Sequence, residues 1–182
     1  MRLIQEREYR PFPREARRDE AHGEGEVPLM AELLELPRGA RILELGCGPG
    51  ATLAPIARLL APSRLVGIDI DPELLTRATE QLAAAGARAE LVCGDARALP
   101  FPDASFDVVL DFGTTYHIAR PADALAEAAR VLAPGGVYVT ETRINQALSH
   151  PIRSLGRSIP WRAVPALAPH LRTLMWDVRV RR

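Results

Sequence analysis

The sequence predicts an α/β fold in which a doubly wound, mostly parallel sheet of six or seven strands carries helices on both faces. Three observations support that class. Short apolar runs alternate with longer stretches of helical periodicity between residues 40 and 141, the pattern of repeated βαβ units. Glycine or proline punctuates most of the boundaries between them. A length of 182 residues suits one domain with a sizeable core.

The elements follow in order. Residues 1–25 are charged and contain Pro11, Pro13, Gly23 and Gly25, so a loose arm is expected. Over 26–37, Val27, Met30, Leu33 and Leu34 recur at helical spacing, and Pro37 and Gly39 close the helix. Residues 41–45 read as the first strand and 51–60 as the next helix, despite Pro55 in its first turns. Residues 65–70 read as the second strand. Asp71-Pro72-Glu73 then gives an N-cap, a proline at the first helical position and an early acid. That helix runs to about residue 85, where Gly86 stops it. Residues 89–93 and 106–110 read as strands three and four, 122–132 as a helix, and 137–140 as strand five. Beyond Glu141, Pro151, Pro160, Pro165 and Pro169 interrupt any long helix. A last strand is expected at 174–180, where Trp176, Val178 and Val180 alternate.

Composition narrows the chemistry. All 23 basic residues are arginine, which excludes a lysine nucleophile or Schiff base. Net charge is zero, yet residues 143–182 hold eight arginines and a single acid, Asp177. Such a segment can face an anionic partner or dock on the acidic remainder of the chain. No apolar run approaches the roughly 18–20 residues of a membrane span. The N-terminal stretch has no apolar h-region, so the cytoplasm is the expected compartment. Cys47 and Cys93 are expected as buried free thiols.

The segment Ile42-Leu43-Glu44-Leu45-Gly46-Cys47-Gly48-Pro49-Gly50 ends an apolar strand in an acid and three alternating glycines. Glycine there allows a sharp turn and lets a ligand approach without meeting a Cβ. In an open parallel sheet that position, outside a strand's carboxyl end, is where nucleosides bind. Asp69 ends strand two, 19 residues past Gly50, where a carboxylate can accept from both hydroxyls of a ribose.

The GxGxG spacing with Glu44 two residues earlier resembles motif I of the class I S-adenosylmethionine-dependent methyltransferases. Cys93-Gly94-Asp95-Ala96, Leu99-Pro100-Phe101-Pro102-Asp103-Ala104-Ser105-Phe106-Asp107 and Arg130-Val131-Leu132-Ala133-Pro134-Gly135-Gly136 repeat the resemblance in the family's order, so it covers roughly residues 40–141. It implies a Rossmann-like three-layer fold in a single domain. Residues 1–25 would be an arm, 26–37 a helix, 40–141 the cofactor core and 142–182 a cap with the last strand. It also implies S-adenosyl-L-methionine as cofactor and S-adenosyl-L-homocysteine as product, with no metal. By that resemblance Glu44 holds the methionine amino group through water, helped by the main chain of Gly46 and Asp111. Gly48 and Gly50 leave room for sulfur and ribose, and Asp95 and the Ala96 N–H meet adenine. Cys47 and Ile70 complete the cofactor set. The methyl is already activated, so the protein contributes mainly positioning, worth up to roughly 7–11 kcal/mol in favourable cases.

Strand four runs into Asp111-Phe112-Gly113-Thr114-Thr115-Tyr116-His117-Ile118, which should lie beside the methyl group. His117 is the candidate general base, because imidazole titrates near neutrality, and Tyr116 the candidate acceptor contact. The chain has no Asn-Pro-Pro-Tyr or Asp-Pro-Pro-Tyr, which argues against nucleobase amines as acceptors. Glu141 could face the same cleft or pair with Arg143. His150, Arg153, Arg157 and Trp161 fall in the segment that caps the pocket in many relatives, and Arg153 or Arg157 is placed to recognise an anionic acceptor. The arm, with Tyr9 and Phe12, could close over the site. The expected function is methylation of a small molecule by a monomer or homodimer. Methylation of RNA or protein is the alternative, although no nucleic-acid motif accompanies the basic tail. A non-catalytic adenosylmethionine-binding protein is the alternative of a different class.

Overall fold

Apolar residues on both faces put the run 41–45 at the middle of the sheet. In the computed structural model, which describes residues 21–141 and 176–181, it is strand β1 (Arg41–Leu45). Strands β2 (Arg64–Asp69), β3 (Glu90–Cys93), β4 (Phe106–Asp111), β5 (Leu132–Glu141) and β6 (Trp176–Val180) complete the described sheet. The order is β3-β2-β1-β4-β5-β6, and β1 to β5 are parallel while β6 pairs antiparallel with β5. The chain therefore leaves β1 toward one edge and later crosses to its other side with β4. That switch is where an α/β sheet opens a crevice.

Helices cover both faces. Helices α1 (Val27–Leu33), α2 (Leu53–Leu60) and α3 (Pro72–Ala84) pack Met30, Leu53, Ile56 and Leu75 with Ile42, Val108 and Leu110 on one face. After the four-residue helix α4 (Thr114–His117), α5 (Pro121–Val131) packs Ala124, Ala128 and Val131 with Leu43, Leu45, Val66 and Val109 on the other. Each large aliphatic side chain so buried stabilises by about 1.5–3 kcal/mol. Pro55 is tolerated because it falls in the first turn of α2. Asp71 caps α3 as expected, its Oδ1 accepting from the Glu73 N–H at 2.9 Å. No described helix is long and apolar enough to cross a membrane.

Three boundaries and the burial of one cysteine differ from expectation. Part of the expected loose arm is helical: Ala21–Glu26 winds as a wide π-type turn into α1. Gly23 lets that turn approach the chain after the glycine loop, since a Cβ there would lie 2.5 Å from the Ala51 carbonyl oxygen. The helix α1 itself stops at Leu33, short of residue 37. Strand β5 starts at Leu132, ahead of the glycines. Phe106 pairs with Leu132 but Val108 with Val137, so Pro134-Gly135-Gly136 loops out. The Gly135 N–H then donates to the Arg181 carbonyl at 2.8 Å, and the Arg181 N–H to Gly136 at 2.9 Å. Finally, Cys47 is buried but Cys93 is exposed, because β3 is an edge strand.

Two of the motifs meet at one guanidinium. Arg130 donates to the carbonyls of Leu99 and Phe101 at 3.0 and 2.8 Å, and to Asp103 and Glu127 at 2.8 Å. Glu127 in turn accepts from the Leu99 N–H at 2.7 Å and is held below the usual carboxylate range, first by Arg130. The turn is closed on the core by an edge-to-face pair of Phe101 and Phe106, centroids 5.1 Å apart. Arg130→Met should therefore cost about 2–3 kcal/mol, because two carbonyls lose charge-assisted donors. Urea unfolding checks this, and a loss under about 0.5 kcal/mol would contradict it.

Candidate functional site

The carboxyl edge of the sheet gathers the candidate residues. Register places Leu45 beside Ile68 and Asp111, and Asp69 beside Cys93. The residues that follow β1, β2 and β3 therefore leave side by side. The Cys47 N–H donates to the Ile68 carbonyl at 3.0 Å and the Gly94 N–H to Asp69 at 2.9 Å, extending both ladders into the loops.

Gly46, Gly48 and Gly50 all adopt left-handed backbone, with φ of 61°, 52° and 84°. Their surroundings differ. A Cβ at Gly46 would strike the Thr114 side chain, and one at Gly50 would lie 2.9 Å from the Ala78 Cβ. At Gly48 it would meet nothing within 4 Å. Two glycines thus serve protein packing, and the middle one faces open space.

Three acids lie at or just beyond the ends of β1, β2 and β3. Glu44 is buried, and its Oε1 accepts from the Thr52 hydroxyl at 2.5 Å. Asp69 accepts from the Gly48 N–H at 2.8 Å through Oδ2 and from the Asp71 N–H at 2.9 Å through Oδ1, which clasps the glycine loop to the end of β2. Burial pushes the Asp69 carboxyl up, and those main-chain donors oppose it. Ile70 follows, half-buried. Burial, reinforced by Glu44 and Asp69, pushes the Cys47 thiol up, so it stays protonated and serves as packing. Asp95 pairs with Arg97, Nη2 to Oδ2 at 2.7 Å, and this contact holds its carboxyl below the usual range. Ala96 beside it is buried.

On the other side of β1, Asp111 is 1% exposed and gathers donors. Its carboxylate accepts from the Thr114 N–H at 2.6 Å, Thr115 Oγ1 at 2.5 Å, the Tyr138 hydroxyl at 2.8 Å and Thr140 Oγ1 at 3.3 Å. Burial and that carboxylate push the Tyr138 hydroxyl up, so it remains a donor. Helix α4 carries Tyr116 and His117, and its start is tied to β1 by Thr114 Oγ1 on the Leu45 carbonyl at 2.8 Å. The Tyr116 hydroxyl donates to the Glu141 carbonyl at 2.8 Å. His150, Arg153, Arg157 and Trp161, with the arm residues Tyr9 and Phe12, lie outside the described residues. Reading by motif missed Thr52, Arg97, Thr115 and Tyr138. Of these only Arg97, two residues past Asp95, carried a local signal. A groove of about 410 Å³ lined by Arg64, Arg88 and Glu90 lies at the opposite, amino edge of the sheet.

The comparisons agree with this architecture. Residues 43–140 match a family described as a methyltransferase domain. The 24-methylenesterol C-methyltransferase 2 of Oryza sativa subsp. japonica is 39% identical over 121 residues, 65% of this chain and 33% of that protein. The fatty-acid O-methyltransferase of Mycolicibacterium smegmatis is 39% identical over 101 residues, 56% of this chain and 36% of that protein. The chain thus matches about a third of the length of these relatives. Among solved structures, the cyclase SpnF is 32% identical, covers 63% of this chain and 42% of its own, and superimposes with a TM-score of 0.59. With a family match over more than half its length, laid on this sheet order and glycine loop, the chain belongs to the methyltransferase domain family, as a class I S-adenosylmethionine-dependent member.

Proposed function

We propose that this chain methylates a small-molecule acceptor at the expense of S-adenosyl-L-methionine. The observation that carries the reading is the open space at Gly48. Main chain there can be approached closely, Asp69 accepts from the Gly48 N–H, and the neighbouring glycines are closed by Thr114 and Ala78. These residues fit an adenosyl ligand. Asp69 would hold the ribose, Asp95 and the Ala96 N–H the adenine, and Glu44 with the carbonyls of Gly46 and Asp111 the methionine end. When bound, the cofactor supplies a methyl group activated by a sulfonium. The chain's own work is to align the acceptor in line with it and exclude water. His117 would accept the acceptor's proton and Tyr116 would contact its body, both from α4. An anionic acceptor, met by Arg153 or Arg157 with His150 nearby, is supported by the arginine-rich segment 143–182 and by a relative named for a fatty acid.

Calorimetric titration tests the reading. S-adenosyl-L-methionine and S-adenosyl-L-homocysteine should bind and NAD should not. Asp69→Ala should weaken both by roughly 10–100-fold, the cost of two charge-assisted hydrogen bonds. Binding of NAD, or full affinity in Asp69→Ala, would overturn it. A second reading, a reaction other than methyl transfer on the same scaffold, is favoured by the 32% identity to a cyclase. Formation of S-adenosyl-L-homocysteine across an acceptor panel separates the two.

A further inference from the structure

We propose that Arg97 is a positioning residue for purine recognition: it locks the Asp95 carboxylate so that one acceptor direction is left for the ligand, selecting a 6-amino over a 6-oxo base. The inference rests on assigning this edge to an adenosyl ligand and goes beyond it to a residue outside the motifs.

The geometry accounts for each lone pair. An ionised carboxylate offers about four acceptor directions. Asp95 Oδ1 takes the Arg97 main-chain N–H and Nε, both at 2.9 Å, so its directions are used. Oδ2 takes Nη2 at 2.7 Å and shares Nε at 3.1 Å, which leaves it one. The guanidinium cannot turn with its partner, because Nη1 is tied to the Ala119 carbonyl at 3.3 Å, in the link between α4 and α5. The two side chains are only 10% and 16% exposed, so water competes poorly for the pair.

The remaining direction demands a donor. An exocyclic amino group supplies one. A 6-oxo group presents a lone pair to a carboxylate oxygen, which is repulsive. Without Arg97 the carboxylate is free to rotate about its own side chain, and can take up a proton and donate to the oxo group. Selectivity would then relax, chiefly through weaker binding of the amino ligand.

The test compares dissociation constants for S-adenosyl-L-homocysteine and S-inosyl-L-homocysteine by calorimetry. The unaltered protein is expected to prefer the adenosyl ligand by on the order of a hundredfold. Arg97→Met, which keeps the apolar stem, should reduce that ratio to below about tenfold. Arg97→Lys, which keeps the charge and loses the fork, should fall between. Equal weakening of both ligands, or an unchanged ratio, would make Arg97 merely structural and overturn the proposal. If Arg97→Met does not fold, Arg97→Lys decides alone, with a drop of at least about threefold expected. An unaltered protein that binds the adenosyl ligand without discriminating overturns this inference and leaves the functional proposal standing. One that binds neither overturns both.

Discussion

Gly48→Val is expected to abolish adenosyl-ligand binding in a protein that still folds, whereas Gly50→Val is expected to lose about 2–6 kcal/mol of stability. Both positions have left-handed backbone, with φ of 52° and 84°, so any side chain costs about 1–3 kcal/mol of strain. That cost alone is survivable against a typical total of roughly 5–15 kcal/mol. At Gly48 it is the main one, since a Cβ there meets no protein atom within 4 Å. The space it fills is the one assigned to the ligand, and the loss of affinity should be at least about a hundredfold. At Gly50 the Cβ would lie 2.9 Å from the Ala78 Cβ and 3.1 Å from its Cα. Helix α3 must then be pushed off the loop, which adds an overpacking cost of about 1–3 kcal/mol. Thermal melts beside ligand titrations distinguish the two. Full ligand binding by a folded Gly48→Val protein would remove the glycine loop from the site.

The second large effect is expected at Asp111. Asp111→Ala should destabilise by about 3–5 kcal/mol, because it strands donors that were buried with the carboxylate. The hydroxyls of Thr115, Tyr138 and Thr140 and the Thr114 N–H all point at it. Asp111→Asn should cost about 2–3 kcal/mol, since its amide would turn donors toward donors. Tyr138→Phe, which removes only one donor, should cost about 1 kcal/mol. The ordering is the diagnostic result, read from denaturant midpoints at an unchanged slope. An Asp111→Ala protein as stable as Tyr138→Phe would show that the carboxylate does not organise the cluster.

What could be read without coordinates follows from how local each signal is. β1 and β4 were legible because residues apolar on both faces can only be central strands. The glycine loop was legible because three glycines at alternate positions have few other uses. Helix α4 was not, since four residues after Gly113 show no periodicity. The start of β5 was hidden by Pro134-Gly135-Gly136, whose looped-out course depends on Arg181, just past the last strand. At the site, Glu44, Asp69 and Asp95 announce themselves by standing at or just past strand ends. Apart from Arg97, their partners do not: Thr52 reaches Glu44 from the cap position before α2, and the hydroxyls around Asp111 come from α4 and β5. The role of Asp111 was therefore expected from its main chain, and the carboxylate's place as a buried hub emerged only in three dimensions.

One contact also bears on the order in which the chain assembles. The Trp176 indole N–H donates to Glu26 Oε1 at 3.0 Å, across a separation of 150 residues, with both side chains buried. Closing so long a loop is entropically unfavourable until the intervening βαβ units have brought the ends near. This bond belongs late on the folding path, and it ties the turn leading into α1 to β6, one shared seal on the finished core.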